Sequence, residues 1–478
     1  MRLSLLALAL CCALPGLSLA AVGPDYARPV LSSSDLPSAW TGVLPHDGQA
    51  LSLVNWWKQF NDPLLSELIE TAEQTSPSVA AAVARVAQAR GAASSAGAAR
   101  KPQLQGYAST NRTGDWAAPA GEAQPFSASL DFSWELDLFG GGQRQEEAAD
   151  ARLAGSAASW HNARVSMAAE VANTYLAARK CYIDRTVGES EVASRAKTVA
   201  GLVAKYEAGV LSGADLARGE GALADAQASL AQVRGVCERQ VNSLVALTGL
   251  SASTLREKLE ALPAEVPQPQ WSSFADVPAT AVAQRPDVRA AEQNLISASA
   301  SIGVAKAAAL PALTLRGSIG RIAVQAGAGL LKFSNPWSFG PALAIPLLDG
   351  SSRAGAVDSA KAVYDEALAG YRGAVRQAVQ ETEDALSRVN RGRERQLAAQ
   401  SSAKQQDAQF RAASLRFEAG SISGLDREDA LRAKLTSTLS RASADLEAAQ
   451  SWVSLYKALG GGWAPSPANQ STTEEQSQ

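Results

Sequence analysis

Asp426 and Asp429 stand three residues apart, just after the glycine-bounded run Gly420-Ser-Ile-Ser-Gly424. That spacing puts both carboxylates on one face of a helix. Carboxylates at a helix N-terminus compensate its dipole. Asp215 holds the matching place after Gly209-Val-Leu-Ser-Gly213, but Arg218 replaces the second acid there. Thiol oxidation is the other available chemistry. Cys181 and Cys237 flank Gly209 symmetrically, since 209 − 181 = 28 and 237 − 209 = 28. In an antiparallel hairpin turning at Gly209 the two would sit at similar height, so a bridge and two buried thiols both fit. His46 and His161 are the only histidines. Imidazole metal sites and histidine-based triads are therefore nearly excluded. No metal-ligand cluster or nucleophile–base constellation appears. The expectation is a protein that is not an enzyme, with no metal and no cofactor.

The elements that must position these residues are long. The chain has 478 residues, and alanine makes up about a fifth of them, which favours helix. A single core rarely grows beyond about 250–300 residues, so two domains, a repeat or an elongated shape is expected. Net charge is −3 with mixed signs, which argues against nucleic acid as a partner. Met1 and Arg2 precede an apolar run, Leu3 to Leu14, which Pro15 and Gly16 break. Ser18-Leu19-Ala20 then supplies small residues for cleavage after Ala20, so an export signal is expected. Cys11 and Cys12 lie inside the apolar run, where Leu10 before Cys11 fits a lipidation site poorly. Nothing later resembles an apolar run of about 18 or more residues, so any membrane crossing must use strands.

The chain repeats itself. Pro77 and Pro286 open similar segments at an offset of 286 − 77 = 209, and Pro102 and Pro311 repeat that offset. Gly140 and Gly350 differ by 350 − 140 = 210, while Gly209 and Gly420 differ by 420 − 209 = 211. Gly249 and Gly460 again give 460 − 249 = 211. The sequence thus reads as two copies of one unit. Each begins with a helix, Pro77 to Arg100 or Pro286 to Ala309. Strands follow. Leu130, Phe132, Trp134, Leu136 and Leu138 alternate with Ser129, Asp131, Ser133, Glu135 and Asp137, which puts every apolar side chain on one face. A proline-free helix comes next, from about Gly142 to Tyr206 and from Ser351 to Phe417, about 100 Å long at 1.5 Å per residue. After the glycine-rich turn the chain returns, Ala214 to Leu247 and Leu425 to Leu459. Leu216, Leu223, Leu230, Cys237 and Leu244 are spaced by seven, a coiled-coil seam. Gly209, Gly213, Gly420 and Gly424 permit positive φ at the reversals.

About four strands per chain cannot close a barrel, for which about eight is the practical minimum. Open sheet edges are intolerable in lipid. The alternation also fits half-buried strands of a soluble sheet; if the strands enter a membrane, several chains must share one barrel, and three would supply about twelve strands. Their helices would form a ring with a polar inner wall.

At this point the residues resemble the TolC-like outer-membrane efflux proteins, closest to the NodT subgroup. The matching segments are Val22-Gly-Pro-Asp-Tyr26, Asn55-Trp-Trp57 with Phe60-Asn-Asp-Pro63, and Phe139-Gly-Gly-Gly-Gln-Arg144. Further matches are Arg285-Pro-Asp287, Ala290-Ala-Glu292, Gly340-Pro341 with Pro346-Leu-Leu-Asp-Gly350, and the two hairpin turns. One departure is Ala20, which stands where the subgroup often has a lipidated cysteine.

The resemblance implies a mostly α fold with a small β part, a homotrimer sharing a twelve-stranded outer-membrane barrel above a periplasmic α-helical barrel. The implied partners are a periplasmic adaptor (membrane fusion) protein, an inner-membrane RND-type pump and outer-membrane lipid. The implied function is a passive exit duct for drugs or other small toxic compounds, in the outer membrane of a Gram-negative bacterium with most of the chain in the periplasm. An outlet for type I protein secretion and a structural periplasmic coiled-coil protein are the alternatives. Asp426 and Asp429, with Asp215, match the acidic ring at the entrance. The turns Gly209, Val210, Leu211, Ser212, Gly213 and Gly420, Ser421, Ile422, Ser423, Gly424 match the adaptor-docking tips. The expected layout is 1–20 signal peptide, 21–62 extended segment, 63–250 first repeat, 251–276 equatorial linker, 277–460 second repeat and 461–478 disordered tail. Arg285-Pro-Asp287 is expected to start a helix, and Trp56 and Trp57 to pack or to meet a membrane interface.

Overall fold

A computed structural model describes residues 21–30, 53–111, 113–115, 118–270, 282, 284–326 and 330–461. The expected signal peptide, most of the extended segment, the end of the linker and the tail beyond Gly461 lie outside these residues.

The helices are α1 (Pro63–Thr75), α2 (Pro77–Ala99), α3 (Gly141–Glu207), α4 (Gly213–Thr248), α5 (Ala252–Glu260), α6 (Pro286–Ala307), α7 (Ser352–Glu418) and α8 (Gly424–Ala458). The strands are β1 (Gln103–Thr110), β2 (Thr113–Asp115), β3 (Ala118–Leu136), β4 (Ala312–Ala326), β5 (Leu330–Ser334) and β6 (Trp337–Ala344). α3 and α7 are each 67 residues long, as proline-free, alanine-rich stretches allow. The order helix, strands, long helix, turn, returning helix occurs twice. Two elements differ from the expected layout. Leu53–Phe60 is a 3-10 helix inside the segment expected to be extended, and α5 occupies the start of the linker.

The chain divides into two units, the first gathering Ala84–Ala157 and Ala290–Arg372 with the N-terminal stretch to Val30. Its sheet is antiparallel throughout, in the order β1, β3, β4, β5, with β2 beside β3 and β6 beside β4. β5 and β6 are one run broken at Asn335-Pro336, where proline lacks the N–H a ladder needs. β1 and the β5–β6 run are the sheet's open edges. The Val22–Tyr26 motif braces this unit. Val22 N–H donates to the Phe139 carbonyl at 2.9 Å, and Arg144 pairs with Asp25. Gly23 (φ +109°) lies so near Gly303 that a Cβ would stand 2.5 Å from the Gly303 Cα. Arg28 grips Glu292 with both ends of its fork, at 2.7 Å each.

The second unit gathers Leu31–Val83, Ala158–Arg289 and Gly373–Gln478. It holds the main core. α1 has no counterpart among the expected elements. Asp62 caps it, accepting from Leu64 N–H at 3.0 Å and Leu65 N–H at 3.2 Å, with Pro63 in its first turn. Its buried face, Leu64, Leu65, Leu68, Ile69 and Ala72, joins Tyr175, Leu176, Leu244 and Leu455. Trp56 is fully buried, its ring 5.2 Å from that of Trp452, and Trp57 lies 4.6 Å from Tyr456. Both tryptophans therefore serve packing. Arg285 is buried at the start of α6. It donates to the Ala458 carbonyl at 3.0 Å and pairs with Asp287 at 2.7 Å and Glu381 at 2.6 Å.

Candidate functional site

The two helix reversals are near copies at atomic detail. Gly209 (φ +73°) and Gly420 (φ +72°) end the outgoing helices in the left-handed region that favours glycine. Val210 N–H donates to the Lys205 carbonyl at 3.0 Å, and Ser421 N–H to the Arg416 carbonyl at 2.8 Å. Ser212 and Ser423 cap the returning helices, accepting from Asp215 N–H and Asp426 N–H at 3.2 Å each. Gly213 and Gly424 depart from expectation: neither has positive φ, and each is the first residue of its helix. A Cβ on them would lie 3.7 Å from the Tyr206 ring or 3.6 Å from the Phe417 ring, an ordinary contact, so neither position requires glycine.

The three candidate acids have local partners. Asp426 completes a capping box, taking the Ser423 hydroxyl at 2.8 Å and the Ser423 N–H at 3.0 Å. The hydroxyl, then the backbone N–H, holds its carboxyl below the usual range. Asp215 accepts the Ser212 hydroxyl at 2.7 Å and pairs with Arg218 at 3.1 Å. Asp429 is exposed and pairs with Arg432 one turn along. Arg432 also reaches the Ser194 hydroxyl at 3.4 Å, and that hydroxyl donates to buried Glu428 at 2.5 Å. These bonds lace α8 to α3. A sequence signal for them exists only in hindsight, because Ser194 and Glu428 are 234 residues apart.

The two hairpins are closed by different means. Cys181 and Cys237 form a disulfide between α3 and α4, with Cα atoms 5.5 Å apart. Shifted by the repeat offset of 211, the same places in the second hairpin are Gly392 and Ala448. There a Cβ on Gly392 would stand 3.4 Å from the Ala448 Cα, so close approach replaces the covalent tie. Nearer its turn the second hairpin is held by Lys434, which pairs with Asp407 at 2.7 Å and lies over the Phe410 ring, while Arg427 covers Phe410 and Phe417. An inner polar knot also ties 264–270 to this hairpin. Gln396 donates to buried Asp445 at 2.8 Å and to Gln268 at 2.6 Å, and Gln268 donates to the Asp445 carbonyl.

In the first unit the sheet has two unlike faces. Register pairs Leu130 with Ile319, Phe132 with Gly317, Trp134 with Leu315 and Leu136 with Leu313. Phe339 and Leu343 of β6 and Leu104 of β1 share that apolar face. Asp131 opposite Ser318, Ser133 opposite Arg316 and Glu135 opposite Thr314 make the other face polar. Trp337 is 77% exposed and Phe339 67%, so the apolar face has no partner among the described residues. Gly317 makes space on it: the Phe132 and Phe339 rings lie 6.4 Å apart across that residue. No group of metal-binding side chains occurs among the described residues, and none of their helices is long and apolar enough to cross a membrane.

The sequence matches the family described as Outer membrane efflux protein over residues 68–250 and 277–461. It is 30% identical to the pyoverdine export outer membrane protein OpmQ of Pseudomonas putida over 95% of this chain and 97% of the relative. It is 28% identical to Nodulation protein T of Rhizobium leguminosarum bv. trifolii, over 93% of this chain and 95% of the relative. The fold superimposes on the outer-membrane channel OprN with a TM-score of 0.78 and 28% identity, covering 92% of this chain and 99% of that one.

Proposed function

We propose, since this chain belongs to the outer membrane efflux protein family, that it is the outer-membrane exit duct of a tripartite efflux pump. The observation that carries this reading is the sheet, apolar on one face, polar on the other and open at both edges. Such a sheet is satisfied in a bilayer only when sibling sheets close it. Three chains supply a twelve-stranded barrel with lipid outside and water inside, in the outer membrane of a Gram-negative bacterium. The helical hairpins extend into the periplasm. Their tips, Gly209–Gly213 and Gly420–Gly424, meet the hairpins of a periplasmic adaptor, which couples the duct to an inner-membrane RND-type pump. The duct performs no catalysis. It conducts drugs or other small toxic compounds passively, with the pump supplying the energy.

In a threefold assembly Asp426 and Asp429 form paired carboxylate rings at the entrance. Asp215 adds a single acid from the first hairpin, since Arg218 stands where the second hairpin has Asp429. Reconstitution tests the main reading. The purified protein is expected to migrate as a cross-linked three-chain species and to give stepwise single-channel currents in planar bilayers. A water-soluble monomer without currents would overturn it.

A further inference from the structure

On the apolar face of the sheet one described side chain is charged, and it is Arg321 on β4. Register sets it opposite Ala128, two residues beyond the Leu130–Ile319 pair. With Ala108, Phe126, Ala128, Ala323 and Phe333 it walls a cavity of about 450 Å³. Its guanidinium lies over the Phe333 ring, 4.8 Å from the centroid, and makes no ion pair among the described residues.

The height of this cavity is set by the strand. Arg321 is 321 − 313 = 8 residues beyond Leu313, where the apolar face begins beside α6. At 3.3 Å per residue and a tilt of about 40°, that is about 20 Å up a band about 25 Å tall. Phe126, Ala323 and Phe333 form the next layer of that face above it. A lone cation at that margin, in an aromatic-walled hollow facing hydrocarbon, calls for an anion that brings its own apolar body. Guanidinium matches a phosphate with two parallel N–H donors.

We infer that this cavity binds a phosphorylated lipid of the outer leaflet, its phosphate on Arg321 and an acyl chain against Phe126 and Phe333. The inference rests on the barrel reading above.

Native mass spectrometry of the detergent-purified, full-length assembly tests it. The probes are bisphosphorylated lipid A, its dephosphorylated form and inorganic phosphate. The wild type is expected to prefer the phosphorylated lipid, and Arg321→Gln to weaken that binding about tenfold, the size of one lost charge-assisted hydrogen bond. Arg321→Lys, which keeps the charge but not the two parallel donors, is expected to restore only part of it, and Phe333→Ala to weaken retention while leaving the preference for phosphate. Equal binding by wild type and Arg321→Gln would overturn the inference. So would indifference to the lipid phosphate, or full displacement by inorganic phosphate, which would mark a free-anion site. Single-channel currents recorded on the same preparations separate the two claims. Absent currents sink the barrel and this site together; normal currents with indifferent lipid binding sink the site alone.

Discussion

Arg285 shows how much one side chain can organise. Buried beneath the start of α6, it satisfies the carbonyl of Ala458 at the end of α8 and two carboxylates. Arg285→Ala is expected to cost about 2–3 kcal/mol, because it strands those acceptors; chemical denaturation followed by circular dichroism measures it. Asp287 gives the same contact a pH dependence. Burial alone would raise its pKa, but the Arg285 hydrogen bond and charge, with the Val288 N–H, outweigh that and lower it. The native state therefore binds fewer protons than the unfolded chain just below the ordinary carboxylate value of about 3.9. The contribution is complete above that value and is lost as pH falls through the lowered native one. Unfolding midpoints between neutral and acid pH should show that loss in the wild type and less of it in Asp287→Asn. The sequence marks Arg285-Pro-Asp287 as a helix start and no more, since the partners Glu381 and Ala458 lie 96 and 173 residues away.

At the scale of elements, the turns separate two kinds of glycine that look alike in sequence. Gly209→Ala and Gly420→Ala force positive φ on a residue with a Cβ and are expected to cost about 1 kcal/mol each. Gly213→Ala and Gly424→Ala add a Cβ at ordinary contact distance in helical backbone, and are expected to be neutral or slightly stabilising. Thermal melts of the four variants distinguish the pairs. Cys181→Ala with Cys237→Ala should cost about 2–4 kcal/mol, read from the denaturation midpoint with and without reductant. Much of this level was legible beforehand. The strand alternation from Ser129 to Leu138, the proline-free helices and the duplicated turns are local, periodic signals, and the observed ends of the long helices differ from the expected ones by a single residue. What escaped was non-local. The Gln396–Asp445–Gln268 knot and the Ser194–Glu428 lacing join residues whose types carry no spacing rule. α1 is only 13 residues long, and a single residue, Ser76, parts it from Pro77, which opens the next helix, so its periodic signal is brief.

For the whole molecule, the proposed acidic entrance requires three chains, so the assembled channel is what tests it. The double variant Asp426→Ala, Asp429→Ala is expected to change single-channel conductance and weaken block by divalent cations. An unchanged channel would remove the gate assignment and leave Asp426 as a helix cap. Gly317→Val would push a Cβ branch into the Phe339 ring, which a Cβ alone approaches to 3.0 Å; fewer cross-linked trimers on a gel would report the disturbed barrel. The unpaired flanks of the sheet, β1 on one side and β5–β6 on the other, also carry a genetic consequence. In the proposed ring each flank accepts whichever copy arrives next, so a folded chain with one spoiled flank would still join through its sound one. In a cell holding both alleles, most rings would include a faulty member. Such a mutation should act dominantly, poisoning the product of the healthy allele, whereas a mutation that unfolds the chain outright should be recessive.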